Sequence, residues 1–94
     1  MPVAFELGQN YPNPFNPTTT IEYALPKVAR VELRVFNILG QEVRILVDQE
    51  QAAGYYQIPW DGKDQTGQSV STGIYLYQIK AGDFVRTMKM SFIK

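Results

Sequence analysis

A chain of 94 residues has room for one domain, and 45% hydrophobic content with 13% aromatics suits a modest core rather than a disordered segment. Nine basic residues balance nine acidic ones, so no net field gathers nucleic acid or draws the chain to an anionic membrane. Cysteine and histidine are both absent, which removes disulfides, thiolate metal sites and the commonest general base.

The opening Met1-Pro2-Val3-Ala4-Phe5 lacks a charged region followed by a long apolar run, so no signal peptide is expected there. Residues 1–4 read as a linker, and if the natural protein is exported this chain is expected to be a piece of it. No apolar run approaches the roughly 20 residues of a membrane helix, so no membrane insertion is expected. Residues 8–20 are irregular because Pro12, Pro14 and Pro17 remove backbone donors and push their predecessors toward extended geometry. Asn13 and Asn16 favour turns, and Tyr11 and Phe15 are the expected anchors of an arm that caps a strand.

Strands follow. Thr19–Leu25 puts Ile21, Tyr23 and Leu25 on one face, and Ala29–Asn37 alternates Val31, Leu33 and Val35 with Arg30, Glu32 and Arg34. One face in the core and one in water is the antiparallel pattern. Ile38–Gln41 is a hairpin turn with Gly40 able to take positive φ. Glu42–Asp48 returns as the partner strand, residues 49–54 read as a loop, and Tyr55–Trp60 is a short strand that Pro59 assigns to an edge or an end. After the polar segment 61–72, spaced by Gly62 and Gly67, Gly73–Lys80 carries Tyr75, Tyr77 and Ile79 on one face and Ile74 and Leu76 on the other. That two-sided apolarity predicts a central strand with cover above and below. Residues 81–83 turn the chain into Phe84–Ile93, with Met88, Met90 and Phe92 inward and Thr87, Lys89 and Ser91 outward. The spacing describes an all-β, immunoglobulin-like sandwich of about seven antiparallel strands in a single domain.

Catalytic chemistry is hard to build from these residues. Ser69, Ser71 and Ser91 have no histidine to activate them and read as turn and strand serines. Gly62 and Gly67 precede a strand rather than a helix N-terminus, so they make no phosphate cradle. Asp61 and Asp64, with Gln65 and nearby carbonyls, form an oxygen-rich stretch of the kind calcium accepts, but it falls short of an EF-hand loop. The favoured reading is that both aspartates cap turns, with no metal and no cofactor. Tyr11, Tyr55, Tyr56, Trp60 and Tyr77 raise a sugar-stacking alternative, against which Trp60 is more simply a plug between sheets.

Three stretches resemble a known family. Tyr11-Pro12-Asn13-Pro14-Phe15-Asn16-Pro17-Thr18-Thr19 with Tyr23-Ala24-Leu25-Pro26 looks like the opening of the type A C-terminal sorting domains of type IX secretion cargo. Val31–Val43, including Gly40, is similar to the same family, as are the Trp60-Asp61-Gly62 to Gly67 and Gly73-Ile74-Tyr75 segment and the basic ending from Lys89 to Lys94. The central signature is shared with the immunoglobulin-like domains of flagellar hook-capping proteins, and the proline-rich opening disfavours a flagellar role. The resemblance implies a non-catalytic signal at the end of a larger cargo protein. It would fold in the periplasm, be read by the outer-membrane translocon, and be removed by a sortase-like peptidase, leaving the cargo at the cell surface or in the medium. It also implies that Gly73, Tyr75, Lys89 and Lys94 carry the signal, in a monomer with an N-terminal cargo domain in the same full-length chain and no nucleic-acid partner. The competing expectations are a carbohydrate-binding accessory module of a secreted glycoside hydrolase and a passive structural spacer.

Overall fold

The computed structural model describes residues 2–15 and 17–93. Seven strands run in chain order: β1 (Glu6–Leu7), β2 (Thr19–Leu25), β3 (Ala29–Asn37), β4 (Glu42–Gln51), β5 (Gly54–Trp60), β6 (Gly73–Ala81) and β7 (Phe84–Phe92). They form a three-stranded sheet in the order β1-β2-β5 and a four-stranded sheet in the order β4-β3-β6-β7, every pairing antiparallel. Among the described residues no helix is long and apolar enough to cross a membrane.

Period-2 alternation drives this arrangement. Ile21, Tyr23 and Leu25 of β2, Val31, Leu33 and Val35 of β3, Tyr75, Tyr77 and Ile79 of β6, and Met90 and Phe92 of β7 are all buried in one cluster between the sheets. Each sheet therefore has one dry face and one wet face, as antiparallel pairs allow. The chain changes sheet three times, through residues 26–28, 52–53 and 61–72, which makes the halves inseparable. Gly40 takes φ +81 in the β3–β4 turn, and Asn37 Oδ1 accepts the backbone N–H groups of Leu39 and Gln41, both at 3.0 Å.

Two expectations need correction. The expected count of about seven strands holds, its shortest member being the two-residue β1, too short to show alternation, which pairs Glu6 with Ala24 and Leu7 with Tyr23. β4 runs on to Gln51 rather than stopping at Asp48, because β3 offers it partners as far as Ala29. Its apolar run does not alternate because Leu46 and Val43 stand at two register shifts, leaving Val47 as its buried residue. β6 is central in its sheet but not covered on both faces: Ile74 is 38% exposed and Leu76 half-buried on the outer side. Two layers cover one face per sheet, so a doubly apolar strand keeps one apolar side outside.

The proline-rich arm is ordered by packing. Phe15 is buried, its ring 5.5 Å from Trp60 and 4.9 Å from Phe92, whereas Tyr11 is 80% exposed and anchors nothing with its ring. Phe15→Ala should therefore cost about 3–5 kcal/mol, while Tyr11→Ala stays within roughly 0.5 kcal/mol. Denaturant midpoints of the two variants measure the difference.

Candidate functional site

The arm lies along the outer edge of β7. Phe15 N–H donates to the Ser91 carbonyl at 3.1 Å, and Ile93 N–H returns a bond to the Phe15 carbonyl at 3.0 Å. Asn13 Oδ1 accepts Ser91 N–H at 2.9 Å, and Gln9 Nε2 donates to the Lys89 carbonyl at 2.9 Å. An edge strand with free backbone groups invites pairing, and here the C-terminal half of that edge is closed from within.

A buried polar knot holds the arm from behind. Asn10 and Thr19 are both buried; Asn10 Nδ2 donates to Thr19 Oγ1 at 2.9 Å and to the Pro12 carbonyl at 3.2 Å, while Thr19 Oγ1 donates to that carbonyl at 2.9 Å. The Tyr77 hydroxyl reaches out of the core to accept Asn10 N–H at 2.8 Å and to donate to the Gly8 carbonyl at 2.7 Å. Burial of this kind demands partners for every polar atom, and each of these has one. Sequence reasoning missed Asn10 and Thr19, since polar residues beside a proline-rich stretch read as surface.

The loop between β5 and β6 is built on its two aspartates. Asp64 Oδ1 accepts Thr66 Oγ1 at 2.7 Å, Thr66 N–H at 2.9 Å and Gln68 N–H at 3.1 Å. The Thr66 hydroxyl, followed by the Gln68 amide, holds the Asp64 carboxyl below its usual value. Asp61 Oδ1 accepts Lys63 N–H at 3.1 Å and faces Arg44 Nη1 at 3.4 Å. Both are turn caps, and among the described residues no group of three or more carboxylates stands ready for a metal. The loop also closes the other edge of the large sheet: Gln65 N–H donates to the Val43 carbonyl at 3.0 Å and Gln65 Oε1 accepts Ile45 N–H at 3.0 Å. A cleft of about 460 Å³ opens between this loop and the β3–β4 hairpin, with Tyr75 in its wall beside Glu42, Gln65 and Thr66.

The residues expected to carry a signal fall into two groups. Gly73 and Tyr75 are framework. Gly73 pairs with Phe92 at the start of β6, and Tyr75 is buried, its ring edge-on to Trp60 at 5.7 Å and its hydroxyl donating to the Ser71 carbonyl at 2.6 Å. Lys89 is exposed on the outer face of β7, across from Leu76. Lys94 and Asn16 lie outside the described residues. Of the five rings raised for sugar stacking, Trp60 and Tyr77 are buried and Tyr56 is half-buried against Tyr23 at 5.1 Å, leaving Tyr11 and Tyr55 exposed. The Trp60 indole N–H is turned inward to the Lys63 carbonyl at 2.9 Å, as a plug between sheets and loop requires.

Residues 15–90 match the family described as the FlgD Ig-like domain, a span that omits the arm before Phe15. Among solved structures, dimeric latent PorU from Porphyromonas gingivalis is similar with a TM-score of 0.74 at 18% identity, over 90% of this chain and 9% of that one. PorZ from the same organism, an essential bacterial surface component of the type-IX secretion system, is similar with a TM-score of 0.59 at 18% identity, over 96% of this chain and 11% of that one. At that identity the likeness shows the fold, and this chain spans about a tenth of either protein. No curated protein sequence matches the chain.

Two outcomes follow from the geometry. A Cβ on Gly62, at φ +73, would meet the Pro17 carbonyl oxygen at 3.1 Å and the Phe92 ring at 3.2 Å, whereas one on Gly67, at φ +89, would meet nothing within 4 Å. Both alanine variants carry a left-handed penalty of roughly 1–2 kcal/mol, and Gly62→Ala should lose more because it also pushes the arm off Phe92; thermal unfolding ranks them. Burial pushes the Tyr23 hydroxyl up to about 12 from its usual 10.0, and burial raises that of Tyr77 as well. Both are neutral in the fold, so their contribution is whole below pH 10 and is lost as pH climbs toward 12. Unfolding midpoints should fall across that window, and less steeply in Tyr23→Phe.

Proposed function

This chain belongs to the FlgD Ig-like domain family, and we propose that within it the chain serves as a non-catalytic C-terminal secretion signal, directing a larger cargo protein through the type IX outer-membrane translocon. The observation that carries the reading is the proline-rich arm. Its residues before Phe15 lie outside the span matched to the general family, its sequence resembles a type A sorting-domain opening, and it is stitched along β7 and against Trp60 rather than trailing free. The fold shared with PorZ, a surface component of the type-IX secretion system, supports the same reading.

A sorting signal needs no reactive group. It needs a shape that survives transit and a surface that a receptor can touch. On this reading Gly73 and Tyr75 act through the framework, setting the start of β6 against Phe92 and Trp60, and the receptor touches the outer face of β7 around Thr87 and Lys89. The partners are the translocon and a sortase-like peptidase, the cargo precedes this domain in the same chain, and the route runs from periplasm to cell surface or medium. A second reading, glycan binding, keeps one specific support: exposed Tyr55 borders a shallow groove of about 200 Å³ that also holds Glu6, Glu22 and Gln57. Retention on insoluble polysaccharide would favour it.

The test is export of a periplasm-targeted fluorescent reporter fused to residues 1–94, in a type IX-competent strain and in its translocon mutant. Reporter outside the first strain alone is the expected result; reporter held in the periplasm of both overturns the proposal. Lys89→Glu should impair export while shifting stability by no more than about 0.5 kcal/mol, since the side chain is exposed. Unimpaired export of that variant removes the outer face of β7 as the surface that is read.

A further inference from the structure

We infer that the open half of the β7 edge, Val85–Met88, is a docking site for an extended, carboxylate-bearing strand of a partner protein, which adds to the four-stranded sheet as a fifth strand. The inference deepens the secretion reading and rests on it for the source of that strand.

The argument begins with parity. β7 pairs with β6 in unbroken register from Gly73↔Phe92 to Ala81↔Phe84, so its backbone groups alternate regularly between β6 and the outside. The arm bonds show which residues face outward: the Lys89 carbonyl, both backbone groups of Ser91 and the Ile93 N–H. The same alternation turns the N–H and C=O of Val85 and Thr87 outward. β7 is the last strand of its sheet, and among the described residues no arm group bonds to the backbone of Val85 or Thr87. The arm leaves the edge after Gln9, because Gly8 N–H donates to the Glu22 carbonyl at 2.8 Å and carries the chain across to the small sheet. Val85 is 55% exposed, and Arg86 and Thr87 are exposed beside it.

Charge selects the occupant. An added strand would lie beside Arg86 on one face and Lys89 on the other, with Lys80 one strand further in across from Val85. All three are exposed, and none is among the ion pairs of the described residues, which join Arg30, Arg34 and Arg44 to Asp48, Glu32, Glu42 and Asp61. Asp83, in the β6–β7 turn, is the sole carboxylate between residues 73 and 92. Opposite charges across a strand pair stabilise it and like charges destabilise it. A second copy pairing through the same edge would bring a second Arg86 and Lys89 and no carboxylate to either, so a homodimer is the wrong occupant. A strand with glutamate or aspartate on both of its faces is the right one, with main-chain bonds supplying affinity and side-chain charge supplying choice.

The experiment uses isotope-labelled residues 1–94 and two synthetic octapeptides, one repeating Val-Val-Glu-Glu, which puts carboxylates on both faces, and one repeating Val-Val-Lys-Lys. The acidic peptide should shift the amides of Val85 and Thr87, slow their hydrogen exchange, and bind at least tenfold more tightly than the basic one. Thr87→Pro deletes an outward N–H that the sheet itself does not use, a change that edge strands tolerate, and should weaken binding at least tenfold. Arg86→Glu gives a second readout should the proline disturb folding, with the same expected loss. Equal affinity for both peptides, unchanged binding by Thr87→Pro or Arg86→Glu in a folded chain, shifts confined to β5, or self-association through Thr87 would each overturn the site. The fused reporter separates the two proposals. Export without acidic-peptide binding overturns the edge site and spares the secretion reading; binding without export does the reverse.

Discussion

The Phe15 ring is the contact on which the rest of this molecule depends. It lies between Trp60, which ends the small sheet, and Phe92, which ends the large one, and Tyr75 closes the group from β6. Aromatic rings bury much area for few rotatable bonds, so a few of them can tie distant pieces of chain together in a small domain. Here they join the arm, both sheets and the β5–β6 loop at one end of the sandwich. The indole N–H bonds the loop carbonyl at Lys63, and Gly62 lets Phe92 approach the loop backbone.

From that contact the treatment of the sheet edges follows. A four-stranded sheet has two exposed edges, and an exposed edge is a template for unwanted pairing. The β4 edge is closed by Gln65, which bonds Val43 and Ile45, and two bulges interrupt its regular repeat. The β7 edge is closed over Lys89–Ile93 by Gln9, Asn13 and Phe15. Closure at one end and openness at Val85 and Thr87 leave a short, basic length of edge on an otherwise guarded sheet.

The tyrosines divide along the same line. Those on β2 and β6 are structural struts that put a ring in the core and a hydroxyl on a distant backbone or side-chain acceptor: Tyr75 to Ser71, Tyr77 to Gly8, and Tyr23 to Gln51. Their hydroxyls are all hydrogen-bonded, so their burial is compatible with stability. Tyr55 and Tyr11 are the ones left at the surface. Aromatic content alone therefore overstated how much ring surface was free for a ligand.

What the sequence determined by itself was the class of fold and most of its strands. Alternation in β2, β3, β6 and β7 is local, repeats over several residues, and fixes which side of each strand is dry. The turn chemistry of Gly40 and the capping role of Asp61 and Asp64 were legible for the same reason, since an Asx cap involves residues two to four apart. The proline-rich motif could be read as an arm because three prolines exclude regular structure. Where the arm lands was decided only in three dimensions: Asn13 and Ser91 are 78 residues apart, and Asn10 and Tyr77 are 67 apart. The same holds for β1, for the extension of β4 to Gln51, and for the single wet face of β6, each of which depends on a partner strand distant in the chain. Above all, tertiary structure decided which half of the β7 edge is covered. Periodicity states how a strand alternates but not what lies beside it, because neighbours are chosen by long-range packing rather than by local pattern.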